Sequence, residues 1–453
     1  MVRWWTAAML ALVACGGDPV IRPAAHSPAP DHRAVAPDVT PPAPGGYRFE
    51  WARSASATEC IGAESLSLDT DLILTGFARG TATVGALQAK EVSSSDILFA
   101  GFDTATGEAR WVRRVATRRN EGLSLVGVAA GGQLVLHLSD FLESHAFRWL
   151  DARSGREERS YATAGAMLNN VLLPEGDVIG VTLSGGKGKE PRTVVRFDPA
   201  GNVRWKTPLG ATQGLGVADT QLDGPELLVL GTLDGQPTFG AGTWQGTRDP
   251  GLASAFLARL DVRTGAVKKS TWLFSRKGSE SALDIALDER GDLLFVLVAG
   301  PMKFLGRLLR SPDKNQLWLV SASRTLDHVN WVTRFATAHP AGARLHPIRG
   351  AILVAGLATG DIAIGSSTIR GGKPDPATFV AELGLDGRLR WAAGAVLGRD
   401  VREPALATDA DGSIYIAGKL DRDTSLGGHP VSPDGHGTCG SIYLAKLAPV
   451  RRR

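Results

Sequence analysis

The chain has 453 residues, 43% of them apolar and 21% charged, which excludes both a multi-pass membrane protein and a wholly disordered one. Its 50 Lys and Arg against 46 Asp and Glu leave a formal charge of +4, too small to point to a nucleic-acid partner. Three cysteines exclude a disulfide-dense scaffold.

The chain opens with Met1-Val2-Arg3, an apolar run from Trp4 to Ala14, and then Cys15-Gly16-Gly17. One basic residue followed by about ten apolar ones has the form of a secretory signal and is too short for a permanent membrane span. Leu12-Val13-Ala14-Cys15 resembles the bacterial lipobox. The resemblance implies a signal peptide over 1–14, cleavage before Cys15, and acylation of that cysteine with chains such as palmitate. Several acyl chains, at about 0.8 kcal/mol per buried methylene, hold a protein stably on a membrane. Gly16, where inner-membrane retention uses Asp, implies the outer membrane, on its periplasmic side or at the cell surface. An ordinary cleaved signal with an incidental Cys is the alternative. Residues 15–45 carry Pro19, Pro23, Pro28, Pro30, Pro37, Pro41, Pro42 and Pro44, which forbid helix and ladder alike. They are expected to be a disordered, extended tether.

From 46 onward the chain is a series of short β-type runs broken by Gly and Asp turns, and it is self-similar. An Asp, a turn Gly and a Trp-bearing strand recur at Asp103–Trp111, Asp198–Trp205 and Asp386–Trp391. Weaker copies run Asp151–Arg159, Asp261–Lys269 and Asp327–Trp331. Each follows an apolar strand, for example Ile97–Phe102, Thr193–Phe197 and Thr378–Leu383. A second signature comes earlier in the repeat, as Gly pairs nine apart: Gly76/Gly85, Gly231/Gly240, Gly356/Gly365 and Gly418/Gly427, with Gly300/Gly306 as a shortened copy. The second and third repeats lack it. Adding the strands before each pair gives four antiparallel strands per repeat, the grammar of a propeller blade.

The seventh repeat ends without its Trp strand. Tyr47-Arg48-Phe49-Glu50-Trp51-Ala52 has the form of that missing strand and stands ahead of the first repeat. The expectation is an all-β, seven-bladed propeller over 46–453, with 47–52 closing the last blade and removing the open edge. Blade boundaries fall near Trp51, Trp111, Arg159, Trp205, Lys269, Trp331 and Trp391. A chain that closes its own ring is expected to be a monomer.

These motifs resemble the bacterial seven-bladed β-propeller repeat proteins, many of them lipoproteins. The residues that carry the likeness are Gly76-Phe77-Ala78-Arg79-Gly80, Ser95–Ala100 and Gly107-Glu108-Ala109-Arg110-Trp111. The Asp-x-x-Thr-Gly-x-x-x-Trp form is also similar to the tryptophan-docking repeats of quinoprotein dehydrogenases, whose propellers usually have eight blades. In both families the Trp packs between blades and the Gly makes the turn, so the resemblance implies structural roles for Trp111, Trp205 and Trp391.

With Cys15 acylated, Cys60 and Cys439 remain as a pair in an oxidising compartment. In a propeller their two loops share a face beside the closing blade, so a disulfide stapling the chain ends is one reading and two free thiols the other. Gly185-Gly186-Lys187-Gly188-Lys189 lacks the hydroxyl and the helix of a phosphate loop and reads as a hairpin tip. Asp409-Ala410-Asp411-Gly412 lacks the closing Glu of a calcium loop and reads as a turn. His429 and His436, with Asp434 between them, could ligate a metal only if their loop folded back. No motif calls for a cofactor.

Arg118, Arg119, Arg276, Lys277, Arg344, Arg399 and Arg402 are placed near the connections between blades. They would form a basic ring attracting an acidic peptide or anionic glycan. Glu121, Glu280, Asp400 and Glu403 lie beside them, and a solvated rim of mixed charge is the competing arrangement. The functional reading is a non-catalytic, lipid-anchored envelope module that binds or scaffolds. A docking subunit of an outer-membrane complex is the first alternative, suggested by the barrel-assembly lipoprotein with quinoprotein-like repeats. A quinoprotein-like oxidoreductase or glycan-active enzyme is the second. The quinoprotein form lacks its vicinal cysteines here.

Overall fold

The computed structural model describes residues 46–68, 71–91, 96–115, 121–129, 132–140, 145–151, 154–163, 167–182, 192–209, 216–233, 244–245, 253–276, 281–310, 316–337, 339–371, 376–396, 404–433 and 440–450. Met1–Ala36 separates as a unit of its own. The signal peptide, Cys15 and the tether all lie outside the described residues.

Seven sheets of four antiparallel strands follow one another along the chain, and no helix occurs among the described residues. The blades span 60–115, 121–163, 167–208, 216–276, 281–336, 339–396 and 405–449. Their first strands are Cys60–Leu68, Glu121–Ala129, Met167–Leu172, Gly216–Asp223, Ser281–Leu287, His339–Ile348 and Ala405–Thr408. These touch in succession, and the last touches the first, so they form the inner wall of a ring. Middle strands are covered on both faces by neighbouring blades, which is why they read as unbroken apolar runs such as Leu293–Ala299. The core is accordingly divided into seven apolar clusters, each shared by two adjacent blades.

The ring closes as the sequence predicts. Tyr47–Ala57 lies antiparallel on Ser441–Pro449, with Tyr47 opposite Pro449 and Ala55 opposite Ile442. The Val450 N–H donates to the Gly46 carbonyl at 2.8 Å, tying the two ends together beyond the last pair. This strand runs five residues past the predicted Ala52 because Ala55, Ser56 and Ala57 pair again, with Val84, Thr83 and Ala82.

Those partners belong to a device that the sequence marks only as Gly spacing. Gly85, Gly365 and Gly427, at φ of 58°, 59° and 59°, form the tips of short hairpins inserted between second and third strands. A fourth hairpin pairs Met302–Phe304 with Arg307–Leu309 and turns at Leu305 and Gly306. Gly240 lies outside the described residues. Each hairpin drives apolar side chains into the seam before its own blade: Ala82 and Val84 between blades 7 and 1, Phe304 and Leu309 between 4 and 5, Ile362 and Ile364 between 5 and 6, Leu426 and Val431 between 6 and 7. The earlier Gly of each pair has a different task. A Cβ on Gly76 would lie 2.0 Å from the Gly62 carbonyl oxygen, where the second strand crosses the bulged first strand.

Around the outside, an aromatic ring of one blade rests on the turn Gly of the next. A Cβ on Gly107 would stand 2.6 Å from Trp51, and the same holds for Gly265 on Trp205 at 2.5 Å and Gly387 on Trp331 at 2.4 Å. The indole N–H then donates to a carbonyl of the turn: Trp205 to Val262 at 2.9 Å, Trp331 to Leu385 at 2.8 Å and Trp51 to Thr104 at 3.3 Å. Asp103 braces its turn by accepting the N–H groups of Ala105 and Thr106 at 2.9 and 2.8 Å. The backbone bond from Thr106 is the first reason its carboxyl sits below the usual Asp range. Blade 2 puts Arg159 at the Trp position, stacked on Trp149, and Tyr161 takes over the contact with Gly201. Trp391 faces the closing strand instead of a turn and packs at a tilt against Tyr47, with ring centres 5.0 Å apart.

Trp51 is 4% exposed and joins the two ends of the ring, so Trp51→Ala is expected to cost about 3–5 kcal/mol in a denaturant melt. Gly107→Val, which adds both a clash and a left-handed φ, should also destabilise, by roughly 1–3 kcal/mol. A melt unchanged by Trp51→Ala would contradict this account of closure.

Candidate functional site

Of the seven predicted basic-rim residues, Arg118, Arg119, Lys277, Arg399 and Arg402 lie outside the described residues. Arg276 is the last residue of Val267–Arg276, an outermost strand, whereas Arg344 sits within the innermost strand His339–Ile348 with an exposed side chain. These two occupy strands at opposite radial ends of their blades rather than one set of loops. Asp434 and His436 lie outside the described residues, as does the Gly185–Lys189 tip. The other histidine, His429, has its Nε2 3.3 Å from the Phe49 carbonyl and so bonds to the closing strand. Asp409 makes the expected turn: its side chain accepts the Ser413 N–H at 2.8 Å and the Tyr415 hydroxyl at 3.0 Å.

The inner wall holds a constellation that the sequence reading missed. Asp219 in blade 4 and Asp284 in blade 5 each follow the bulged residue of a first strand. Asp219 Oδ2 accepts the Ile285 N–H of the next blade at 3.3 Å, and Asp284 Oδ2 accepts the Leu345 N–H of blade 6 at 2.6 Å. The two carboxyls also hydrogen-bond each other. Burial first, and then the neighbouring Asp284 charge, hold the Asp219 carboxyl well above the ordinary range. Further bonds of the same kind join other inner strands. Asn169 donates to the Val217 carbonyl at 3.2 Å, the Thr220 hydroxyl donates to the Asn169 carbonyl at 2.6 Å, and His346 Nε2 meets Thr408 Oγ1 at 2.9 Å. Burial lowers the pKa of His346, with Asp284 opposing it.

Chemically, this belt fastens blade to blade. A raised carboxyl could serve as a general acid, but both carboxyls here already receive backbone N–H groups from the following blade. Asp219 and Asp284 stand 65 positions apart, and Ser65 fills the place after the bulge in blade 1, so no spacing motif announces the pair.

Linkage fixes the sign of its pH dependence. A carboxyl whose folded pKa is raised stabilises fully below the ordinary Asp value of 3.8 and loses that contribution as pH climbs through the raised value. Melting temperature is therefore expected to fall with rising pH above about 4 on account of this pair. In Asp219→Asn, which keeps an amide donor toward Asp284, that part of the slope should vanish. Parallel pH profiles for the two proteins would count against a raised Asp219 carboxyl.

Cys60 is buried and disulfide-bonded. The expected partner, Cys439, lies outside the described residues. A Cys60–Cys439 bridge would close a loop of several hundred residues, and its removal would then cost roughly 2–5 kcal/mol. Non-reducing peptide mapping should recover the two cysteines in one cross-linked fragment; a Cys60 peptide joined to any other cysteine would refute the assignment.

No family model and no curated protein matches this sequence. Among solved structures, BamB from Moraxella catarrhalis is 15% identical over 89% of this chain and 99% of its own, with a TM-score of 0.39. The quinohemoprotein alcohol dehydrogenase from Comamonas testosteroni is 10% identical over 90% of this chain and 77% of its own, at 0.45. The Pan2 WD40 domain from Neurospora crassa is 10% identical over 90% and 99%, also at 0.45. Likenesses this distant carry no argument about activity or partner. The fold assignment stands on the strand pairing itself.

Proposed function

We propose that this chain is a non-catalytic, lipid-anchored propeller of the bacterial envelope that binds or scaffolds a partner protein. The observation that carries the reading is how its repeated functional-looking groups are used. Asp103 and Asp409 shape turns, Trp51, Trp205 and Trp331 dock on neighbouring turns, and the Asp219–Asp284 pair links three blades. A frame so extensively cross-tied presents rigid surfaces, and rigid surfaces bind without a large ordering cost. The anchor rests on the lipobox-like Leu12-Val13-Ala14-Cys15, with 15–45 as the tether. Docking into an outer-membrane complex is the more specific form of the same reading.

One feature favours an enzyme, namely the buried Asp219 carboxyl on the inner wall, held above the ordinary range beside Asp284. The two readings separate in Asp219→Asn. As a purely structural tie, its loss lowers the melting temperature; as a catalytic acid, its loss abolishes turnover of a glycan substrate while the fold survives.

The main test is envelope fractionation with cross-linking in the native bacterium. The wild-type chain is expected in the outer-membrane fraction, joined to the same partner protein in repeated experiments, and Cys15→Ser should shift it to the soluble periplasmic fraction. A wild-type chain found soluble, with no cross-linked protein, would overturn the proposal.

A further inference from the structure

Blade 2 has only residues 141–144 between its second strand, Gln133–Asp140, and its third, His145–Asp151. Four residues cannot form the eight-residue hairpin that blades 1, 5, 6 and 7 insert there. Among the described residues, the seam between blades 1 and 2 therefore has no wedge from its own blade. At that position lies an open cleft of about 720 Å³, lined by Arg113, Arg114, Val115, Arg148, Ser154 and Arg156 among others.

The charges in this cleft do not cancel. Arg114 is spoken for: its side chain is 2% exposed, pairs with buried Asp96 at 3.1 Å and donates to carbonyls of its own blade. Arg148 shares one nitrogen with Glu157 at 2.8 Å, while its buried Nε has no partner. Arg113 donates to the Ser154 carbonyl at 3.1 Å, which fixes its position and leaves its charge unbalanced. Arg156 is exposed. With Arg114 paired to Asp96, three arginines, Arg113, Arg148 and Arg156, face one lining carboxylate, Glu157.

The other seams reveal what shape fits such a gap. Between blades 7 and 1, Ala82-Thr83-Val84 adds to the outer strand at Ala55–Ala57, beginning four residues after Trp51. Between blades 5 and 6, Ile364 and Ala363 pair with Phe335 and Ala336, again beginning four residues after Trp331. Four residues after Trp111 is Val115, which lines the cleft.

We infer that the seam between blades 1 and 2 is a docking site for an extended acidic segment of a partner protein. The segment adds as a strand beside Val115, as the protein's own hairpins do at two other seams. It inserts an apolar-x-apolar core like Ile362-Ala363-Ile364, and its flanking carboxylates meet Arg113, Arg148 and Arg156. Strand addition supplies backbone bonds, and the arginines supply selection for carboxylate over cation. This inference deepens the proposed function and rests on the protein being a binding module.

The test is fluorescence anisotropy on the full chain, with a labelled peptide holding Ile-Ala-Ile between pairs of Glu. Saturable binding is expected, weakening several-fold from low to physiological salt. At least tenfold weaker binding is expected in Arg156→Glu and in Arg113→Glu/Arg156→Glu, with Arg388→Glu, a distant exposed site, unchanged. Thermal melts confirm that the variants fold; Arg156→Glu alone tests the site should the double variant fail to fold. Equal binding of a Lys-flanked peptide, or of a Glu peptide without the apolar core, would overturn strand addition, the latter marking a bare anion site. Should cross-linking in cells capture the same partner with Arg156→Glu as with wild type, this cleft is wrong and the binding module stands. If wild type captures none, the broader reading fails instead.

Discussion

The pairing of the first described strand with the last governs this structure. Seven twisted sheets arranged radially leave a gap unless the final sheet meets the first, and an open gap exposes two apolar blade faces. Tyr47–Ala57 closes it by completing blade 7 while its far end grips the hairpin of blade 1. A single segment therefore bonds to both sides of the join. Trp51 on that segment then rests on the Gly107 turn, so backbone pairing and aromatic docking act at one place.

Every seam uses some mixture of three fasteners. Inner strands exchange polar bonds, outer strands dock a ring on a turn, and inserted hairpins fill the space between outer strands. The mixture varies with sequence. Blade 2 replaces Trp with an Arg–Tyr arrangement, and blade 6 reaches its neighbour through Trp391 on Tyr47 with the indole donating to Glu382 at 2.8 Å. Buried Arg196 and Arg259 add cross-blade ties, donating to the carbonyls of Val262 and Arg324 while paired with Asp177 and Asp223. Each of these groups would be costly to bury alone, and the partners around it offset that cost.

The fold was legible in the sequence because repetition exposes it. The Asp-to-Trp turns marked each outer hairpin, and the strand missing from the seventh repeat matched Tyr47–Ala52 in form. The hairpin wedges were only half legible: their Gly spacing was visible, but nothing in one repeat reveals that its insert packs against the repeat before it. The Asp219–Asp284 pair was illegible because its members come from different repeats and meet only when bulged strands line the ring. The arginine cleft was hidden for a different reason. It is made by a shortened connection, and its cationic residues come from two blades that look ordinary when read separately.

The closing strand also sets the order in which the molecule can become whole. Its residues leave the ribosome before any blade, yet their partners, Ser441–Pro449, arrive almost four hundred residues later. Loop-closure entropy opposes so distant a contact until the intervening sheets have condensed. A partly synthesised chain therefore lacks its clasp however well its early blades are formed, and the arrival of Ser441–Pro449 is itself the event that locks the architecture.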